Sequence, residues 1–404
     1  MRIETESLRK MREERTGRIL VTGATGFLGS HIAVALLRAG YRVAVLARAS
    51  KGLSAEDRMG RLARWFGLDS ATAAKIEIVE GDILEPELAG RLLAGPAGRE
   101  PFDEIVHCAS STSFAERKRP EVEAANIGGL KAVLDLAVRG GCAVFHHVST
   151  AYAAGRRAGL CREDWIESGP FTNVYEETKA RGEIMARDAC QGAGIRLNVY
   201  RPAVVYGDSR TGRTLRFNAL YYPIKAALSI RDIYLDDLRS GNGRKAAEVG
   251  IGLASSGRLF VPIRIETRPG TGINLVPVDH CVRAFLAIFE DSLEGGIYHI
   301  ANPRLTPIEE IVAYGTRHFE MEGIRTCGPE DFTSDPKNTL EVLYDSYLEI
   351  FKPYMQDGRT FDMAKAAPIL EKRGLACPVF DEAMFARAMD FAVAAGWGTK
   401  LFAS

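Results

Sequence analysis

Three glycines spaced by three residues, in the run Val21-Thr22-Gly23-Ala24-Thr25-Gly26-Phe27-Leu28-Gly29, lie where a short apolar segment gives way to a helical one. A glycine turn at that junction lets backbone pack closer than any side chain permits. It also leaves the N–H groups of the following helix facing an anion. The alternation it begins continues downstream. Apolar runs predict strands at Ile19–Thr22, Arg42–Leu46, Ile76–Val79, Glu104–Cys108, Ala143–Val148 and Arg196–Tyr200, and the clearest helices between them are Gly29–Ala39, Ile127–Val138 and Tyr175–Cys190. Strands alternating with helices specify βαβ units, so the expected fold is α/β: a doubly wound parallel sheet of Rossmann type.

Past Pro202 the alternation loosens. A strand-like pair, Ile273–Val276 and Tyr298–Ile300, brackets a helix beginning near Asp279, and the last hundred residues read as mainly helical. The expected division is an exposed helical extension over 1–17, a nucleotide-binding domain over 18–205 and 273–302, and a smaller, mainly helical substrate lobe over 206–272 and 303–404. With 46% hydrophobic and 26% charged residues, the 404-residue chain has the composition of a folded domain. Lys plus Arg balance Asp plus Glu at 52 each, so no net field draws it to nucleic acid. Seven scattered cysteines, with no C-x-x-C pair and no Cys/His cluster, suggest reduced thiols, no metal site and a cytoplasmic protein. The charged N-terminus does not read as a secretory signal. No uncharged apolar run reaches the roughly 18 residues of a membrane span. The least polar stretch, Phe217 to Ile230, is broken by Lys225 and reads as a buried helix, with weak membrane or acyl-chain contact as the alternative.

The glycine turn is built for a pyrophosphate, with Gly23, Thr25, Gly26, Phe27, Leu28 and Gly29 around it. At the end of the second strand an acidic residue would hold a ribose 2′-hydroxyl. This chain has Arg48 there, then Lys51, and no acid before Glu56. Two cations suit a 2′-phosphate, so NADP(H) is expected over NAD(H). Asp82 and Ile83 follow the third strand, where they could meet adenine; an Asp in a turn is equally well explained as a cap. Ala109 and Ser110 end the fourth strand and leave room for ribose and nicotinamide. The neighbouring His107 and Cys108, like His146 and His147, read as packed structural groups. The strongest signal pairs Ser149-Thr150-Ala151-Tyr152, at the fifth strand's end, with Tyr175-Glu176-Glu177-Thr178-Lys179. Tyr175 and Lys179 fall one helical turn apart on one face. A nearby ammonium is expected to lower the phenol's pKa, making it a usable proton donor, with Thr150 holding the substrate oxygen.

Taken in order, TGATGFLG, VLARAS, HCASSTSF, NIGGLKAVLDLA, HVSTAYAAG, YEETKARGE, YRPAVVYGDSRTG and NLVPVDH resemble blocks of the extended short-chain dehydrogenase/reductase superfamily, in its thioester-reductase branch. That branch holds fatty acyl-CoA reductases, male-sterility-type proteins and chain-releasing reductase domains. The resemblance covers about residues 18–302. It implies a catalytic set of Thr150, Tyr175 and Lys179, Pro202 and Val204 bordering the nicotinamide, and Asn126 supporting Lys179 through a backbone or water contact. Ser149 adjoins Thr150 and could substitute for it, though counting back from Gly155 favours Thr150. The implied reaction is NADPH-dependent reduction of an acyl thioester to aldehyde, in some members on to alcohol. With no adenylation or carrier module in the sequence, the acyl group is expected to arrive in trans on coenzyme A or an acyl-carrier protein. The rival readings are a sugar-nucleotide epimerase or dehydratase, or a sterol-type alcohol dehydrogenase, sharing the same trio. A non-catalytic NADP-sensing protein is the remaining class, though such proteins typically lack the Tyr/Lys pair.

Overall fold

The computed structural model describes Lys10, Glu14 and residues 17–402, so the extension expected over 1–17 lies almost wholly outside the described residues. The chain divides into two compact units. The first comprises residues 1–203, 278–301 and 361–377; the second comprises 204–277, 302–360 and 378–404.

In the first unit, β1 (Arg18–Thr22) is buried along its whole length, as a central parallel strand covered on both faces must be. It pairs on one side with β2 (Arg42–Ala47), which carries β3 (Glu77–Glu80). On its other side lies β4 (Glu104–His107), followed by β5 (Val144–Val148), β6 (Arg196–Pro202) and β7 (Gly296–Ile300). The order is therefore β3-β2-β1-β4-β5-β6-β7, all parallel. Neighbouring residues on one strand serve opposite faces. Phe145 packs with Leu130, Val133 and Ala186 on one side. His146 packs against Phe289 on the other, beside the Tyr200–Phe285 pair. The strand order reverses between β1 and β4, which is where ligands sit in open α/β sheets.

Three helices fix the residues of interest. α1 (Phe27–Arg38) follows β1 directly. α2 (Ala55–Trp65) starts at a capping box between Ser54 and Asp57. α3 (Val174–Ala193) begins at Asn173, whose side chain accepts from the Glu176 N–H at 3.1 Å, while the Glu176 carboxylate accepts from the Thr172 N–H at 2.8 Å. This reciprocal cap fixes the helix start at Val174, one residue before Tyr175.

The second unit has its own core, centred on Tyr206, Tyr221, Phe380 and Phe385. Its longer helices are Tyr221–Ser240, Ile308–His318, Thr339–Leu348 and Glu382–Ala394. Short strands join them: Val204–Tyr206 pairs with Leu275–Pro277, and Arg264–Glu266 with Arg325–Cys327, both parallel. Two boundaries differ from the sequence reading. The strand expected at 273–276 pairs within the second unit rather than entering the large sheet, and so Val204 also belongs to that unit. Residues 361–377 return to the first unit, where the Asp362 N–H donates to the Cys161 carbonyl at 2.8 Å and Phe361 meets Tyr152 edge-on. The apolar stretch near 217–230 forms the start of the Tyr221–Ser240 helix and buries Tyr221, Ala226, Leu228 and Ile230. Among the described residues no helix is long and apolar enough to cross a membrane.

Candidate active site

The glycine turn is as tight as its spacing implies. Gly23 has φ +72°, and a Cβ built on it would stand 2.6 Å from the Ala109 nitrogen, so β1's turn lies directly against the end of β4. A Cβ on Gly29 would stand 2.4 Å from the Gly23 carbonyl oxygen. Gly26 caps α1 with extended backbone, no side chain caps the helix, and its first turn carries no acid. These are the features of an anion site: close backbone, free N–H groups and the positive end of the helix dipole. The donor set fits a dinucleotide pyrophosphate.

Beside this turn Arg48 is exposed and pairs with Asp82 at 3.1 Å. Asp82 also accepts from the Leu84 N–H at 3.1 Å, the cap-like contact that the sequence allowed. Ile83 is partly buried and lies against Gly129, where a Cβ would stand 2.5 Å from its Cδ1. Lys51 sits exposed in a turn at φ +52°. A further cation near Arg48 is Arg58, which sequence reasoning missed. It donates to the Arg48 carbonyl at 2.6 Å and to the Thr25 hydroxyl at 2.7 Å, tying the end of β2 to the glycine turn. Burial, then repulsion from Arg48, lowers its pKa. Its only sequence signal was position, an arginine one turn inside the helix that follows Arg48.

At the ends of β4 and β5 the buried polar groups interlock. The Thr22 hydroxyl meets His107 Nδ1 at 2.9 Å and accepts from the Ala109 N–H at 3.3 Å. His107 stacks on His147, and burial lowers its pKa to about 3, so both are neutral packing groups. Burial pushes the Cys108 thiol up to about 12, which removes it as a nucleophile. Asn126 joins two regions: its carboxamide accepts from Ser110 Oγ at 3.1 Å and the Ser111 N–H at 2.7 Å, and donates to Thr178 at 3.0 Å. On α3 its side chain thus meets Thr178, the residue before Lys179.

Thr150 stands just beyond the end of β5, and Tyr175 and Lys179 lie one turn apart on α3. The Thr150 hydroxyl donates to the Pro202 carbonyl at 3.5 Å and accepts from the Tyr152 N–H at 3.3 Å. Ser149 is buried and its hydroxyl has no partner among the described residues. Lys179 is 4% exposed and donates to the Val148 carbonyl at 2.7 Å. Phe114 lies over Tyr175 with ring centroids 5.6 Å apart. One expectation is corrected. The phenol is not lowered by the ammonium: burial pushes Tyr175 up to about 12, against the Thr150 hydrogen bond, and Glu176 adds to the rise. Burial instead lowers Lys179 to about 8. The physical reason is that loss of water around the half-buried phenol and the buried ammonium pushes each toward neutrality, while the ammonium is engaged by a backbone carbonyl.

The family described as male sterility protein matches residues 21–285. UDP-glucose 4-epimerase of Mus musculus is 25% identical over 238 residues, covering 56% of this chain and 67% of that protein. The large subunit of L-2-aminoadipate reductase of Penicillium chrysogenum is 27% identical over 350 residues, covering 80% of this chain. This chain spans only 24% of that relative's length. Among solved structures, the terminal R domain of the myxalamid PKS-NRPS biosynthetic pathway superposes with a TM-score of 0.73 at 23% identity, covering 94% of this chain and 91% of that one. At that identity the likeness is one of fold.

Proposed function

This chain belongs to the male sterility protein family, within the thioester-reductase branch of the extended short-chain dehydrogenases, and we propose that it reduces an acyl thioester to an aldehyde with NADPH. The observation that carries the reading is that Lys179, one turn beyond Tyr175 on α3, donates to the Val148 carbonyl at 2.7 Å, two residues before Thr150. Hydroxyls at the end of β5 and on the first turn of α3 could both donate to one oxygen, as a carbonyl gaining negative charge requires. The family supplies the thioester. The aminoadipate reductase similarity extends over far more of the chain than the epimerase similarity, including sequence beyond the sheet.

A nicotinamide cofactor, when bound, supplies the hydride. Gly23 to Gly29 would hold its pyrophosphate, Arg48 and Arg58 its 2′-phosphate, and Asp82 and Ile83 its adenine. Ala109, Ser110 and Pro202 would border the ribose and nicotinamide, and Val204 stands two residues beyond Pro202. Thr150 and Tyr175 donate hydrogen bonds to the thioester oxygen. Lys179 keeps a positive charge near the phenol as that oxygen becomes anionic; the anion then collapses to the aldehyde with cleavage of the C–S bond, and Tyr175 Oη gives its proton to the departing thiolate. The acyl group would come on coenzyme A or a carrier protein. Seven free thiols suit a cytoplasmic setting.

Arg48→Ala is expected to weaken NADPH binding ten- to a hundredfold, the loss of a charged hydrogen bond of about 1.5–3 kcal/mol, while NADH affinity changes little. Equal losses for both cofactors, read by fluorescence titration, would remove Arg48 from 2′-phosphate recognition. Because burial lowers Lys179 to about 8, kcat/KM is expected to fall above that pH, by about tenfold per unit, as the ammonium is lost. A rate that stays flat to pH 10 would mean that the charge on Lys179 is not needed.

The reading is tested by following NADPH oxidation and free-thiol release together over a panel of acyl-CoAs. One thiol released per NADPH consumed supports it. The epimerase reading, favoured by the similarity to UDP-glucose 4-epimerase, predicts instead interconversion of a UDP-sugar with no net change in the cofactor.

A further inference from the structure

The chain leaves the carboxyl end of β4, the edge where ligands bind in such sheets, and residues 111–119 are then tied to α3 at both ends. At one end the Asn126 side chain accepts from the Ser111 N–H at 2.7 Å and donates to the Ser111 carbonyl at 3.1 Å and the Thr178 hydroxyl at 3.0 Å. At the other, Arg119 donates to Glu177 at 2.9 Å. Arg181 adds bonds to Glu123 at 3.1 Å and to Glu177 at 3.4 Å. Glu177 and Thr178 both lie within one turn of Tyr175. The segment between the anchors is therefore a strap pinned beside the phenol. Residues 111–115 form neither helix nor strand.

The only large apolar side chain on the strap is Phe114. Its ring lies over Tyr175 with centroids 5.6 Å apart and planes tilted by 36°, and both residues are half-buried. Anchors on either side leave the ring little freedom to swing clear. The consequence is steric. A carbonyl oxygen accepting from the phenol stands about 3 Å from Tyr175 Oη. The first carbon of the acyl chain is only two bonds beyond that oxygen, within reach of a ring held this close. A methylene passes such a wall, whereas a branch on the same carbon overlaps it.

We propose that Phe114 sets the acyl selectivity of the site, admitting thioesters unsubstituted at the carbon beside the carbonyl and refusing those branched there. Aminoacyl and peptidyl thioesters, which carry nitrogen on that carbon, are refused with them. The selectivity rests on the thioester-reductase reading; the screening of the phenol by Phe114 does not.

Two readouts on the whole protein test this. The first is kcat/KM with NADPH for decanoyl-CoA and for its isomer carrying a methyl branch on the carbon beside the carbonyl. The wild type is expected to prefer the straight isomer by about a hundredfold, and Phe114→Ala to cut that preference about tenfold, within what one misplaced methyl group is worth. The change comes through faster reaction of the branched isomer, with NADPH affinity unaltered. The second readout needs no turnover. Acetylation of the Tyr175 phenol by N-acetylimidazole, located by peptide mass, is expected to run several-fold faster in Phe114→Ala. If that variant has a lower melting temperature, Phe114→Leu is read in its place, with shifts in the same direction. A wild type that takes both isomers equally, or a folded variant that keeps the wild-type preference, overturns the inference and leaves the reductase reading standing. No thioester reduced, with Tyr175 acetylated faster in the variant, removes the reductase reading and keeps Phe114 as the screen. No thioester reduced and no change in acetylation removes both.

Discussion

Tyr175→Phe is expected to lower the rate of thioester reduction by about 10²- to 10⁴-fold while leaving NADPH affinity within about twofold, since general acid catalysis contributes on that scale. The substitution removes one oxygen. The ring keeps its place beside Phe114, and the helix cap at Asn173 does not involve it. Thr150 keeps its hydroxyl, so one donor to the substrate oxygen survives once that O–H turns from the Pro202 carbonyl. Loss of water around the phenol pushes Tyr175 up to about 12, so the group starts the reaction protonated near neutral pH. Steady-state kinetics with cofactor titration checks this. A variant that keeps more than about a tenth of the wild-type rate would take the phenol out of proton transfer.

Arg201→Met is expected to cost about 3–5 kcal/mol of stability, the largest loss foreseen for any single change here. Arg201 and Glu183 are both fully buried, and Arg201 Nε donates to Glu183 Oε1 at 2.9 Å. The same guanidinium donates to the Asp164 carbonyl at 3.0 Å. Glu183 lies one turn beyond Lys179 on α3, and Arg201 precedes Pro202 on β6, so the pair joins the helix that carries Tyr175 to the strand that faces Thr150. Removing the guanidinium strands a buried carboxylate. Replacing both partners, Arg201→Met with Glu183→Leu, is expected to recover most of the loss, because the stranded charge is then gone. Urea unfolding of the single and double variants reads the difference. A single variant within about 1 kcal/mol of the wild type would show that the pair does not hold the site together.

Much of this arrangement is legible in the chain because local rules and the fold agree. Gly23, Gly26 and Gly29 have one physical use at a strand-to-helix junction, and the strands of the large sheet are apolar runs whose predicted ends fall within two residues of those observed. Thr150, Tyr175 and Lys179 could be paired because helical spacing and a strand end fix both partners. What escaped depends on contacts between segments distant in sequence. Arg58 is ten residues from Arg48, and only the tertiary turn brings its guanidinium to the Arg48 carbonyl. Residues 361–377 rejoin the first unit through individual backbone bonds such as Asp362 to Cys161, which leave no periodic trace. The leucine and valine of Leu275–Pro277 read alike whether they enter a seven-stranded sheet or a two-stranded one. The direction of the Tyr175 shift was missed for a different reason. Spacing placed an ammonium nearby, but not the depth of burial that outweighs it.

The most direct measurement is a single turnover of decanoyl-CoA with NADPH deuterated at the transferable C4 position, with products resolved by mass spectrometry. A product aldehyde carrying one deuterium at C1, with coenzyme A released in equal amount, is the result expected of Thr150 and Tyr175 holding a thioester oxygen. Unlabelled, unreduced thioester beside a UDP-sugar that the same protein interconverts would contradict it.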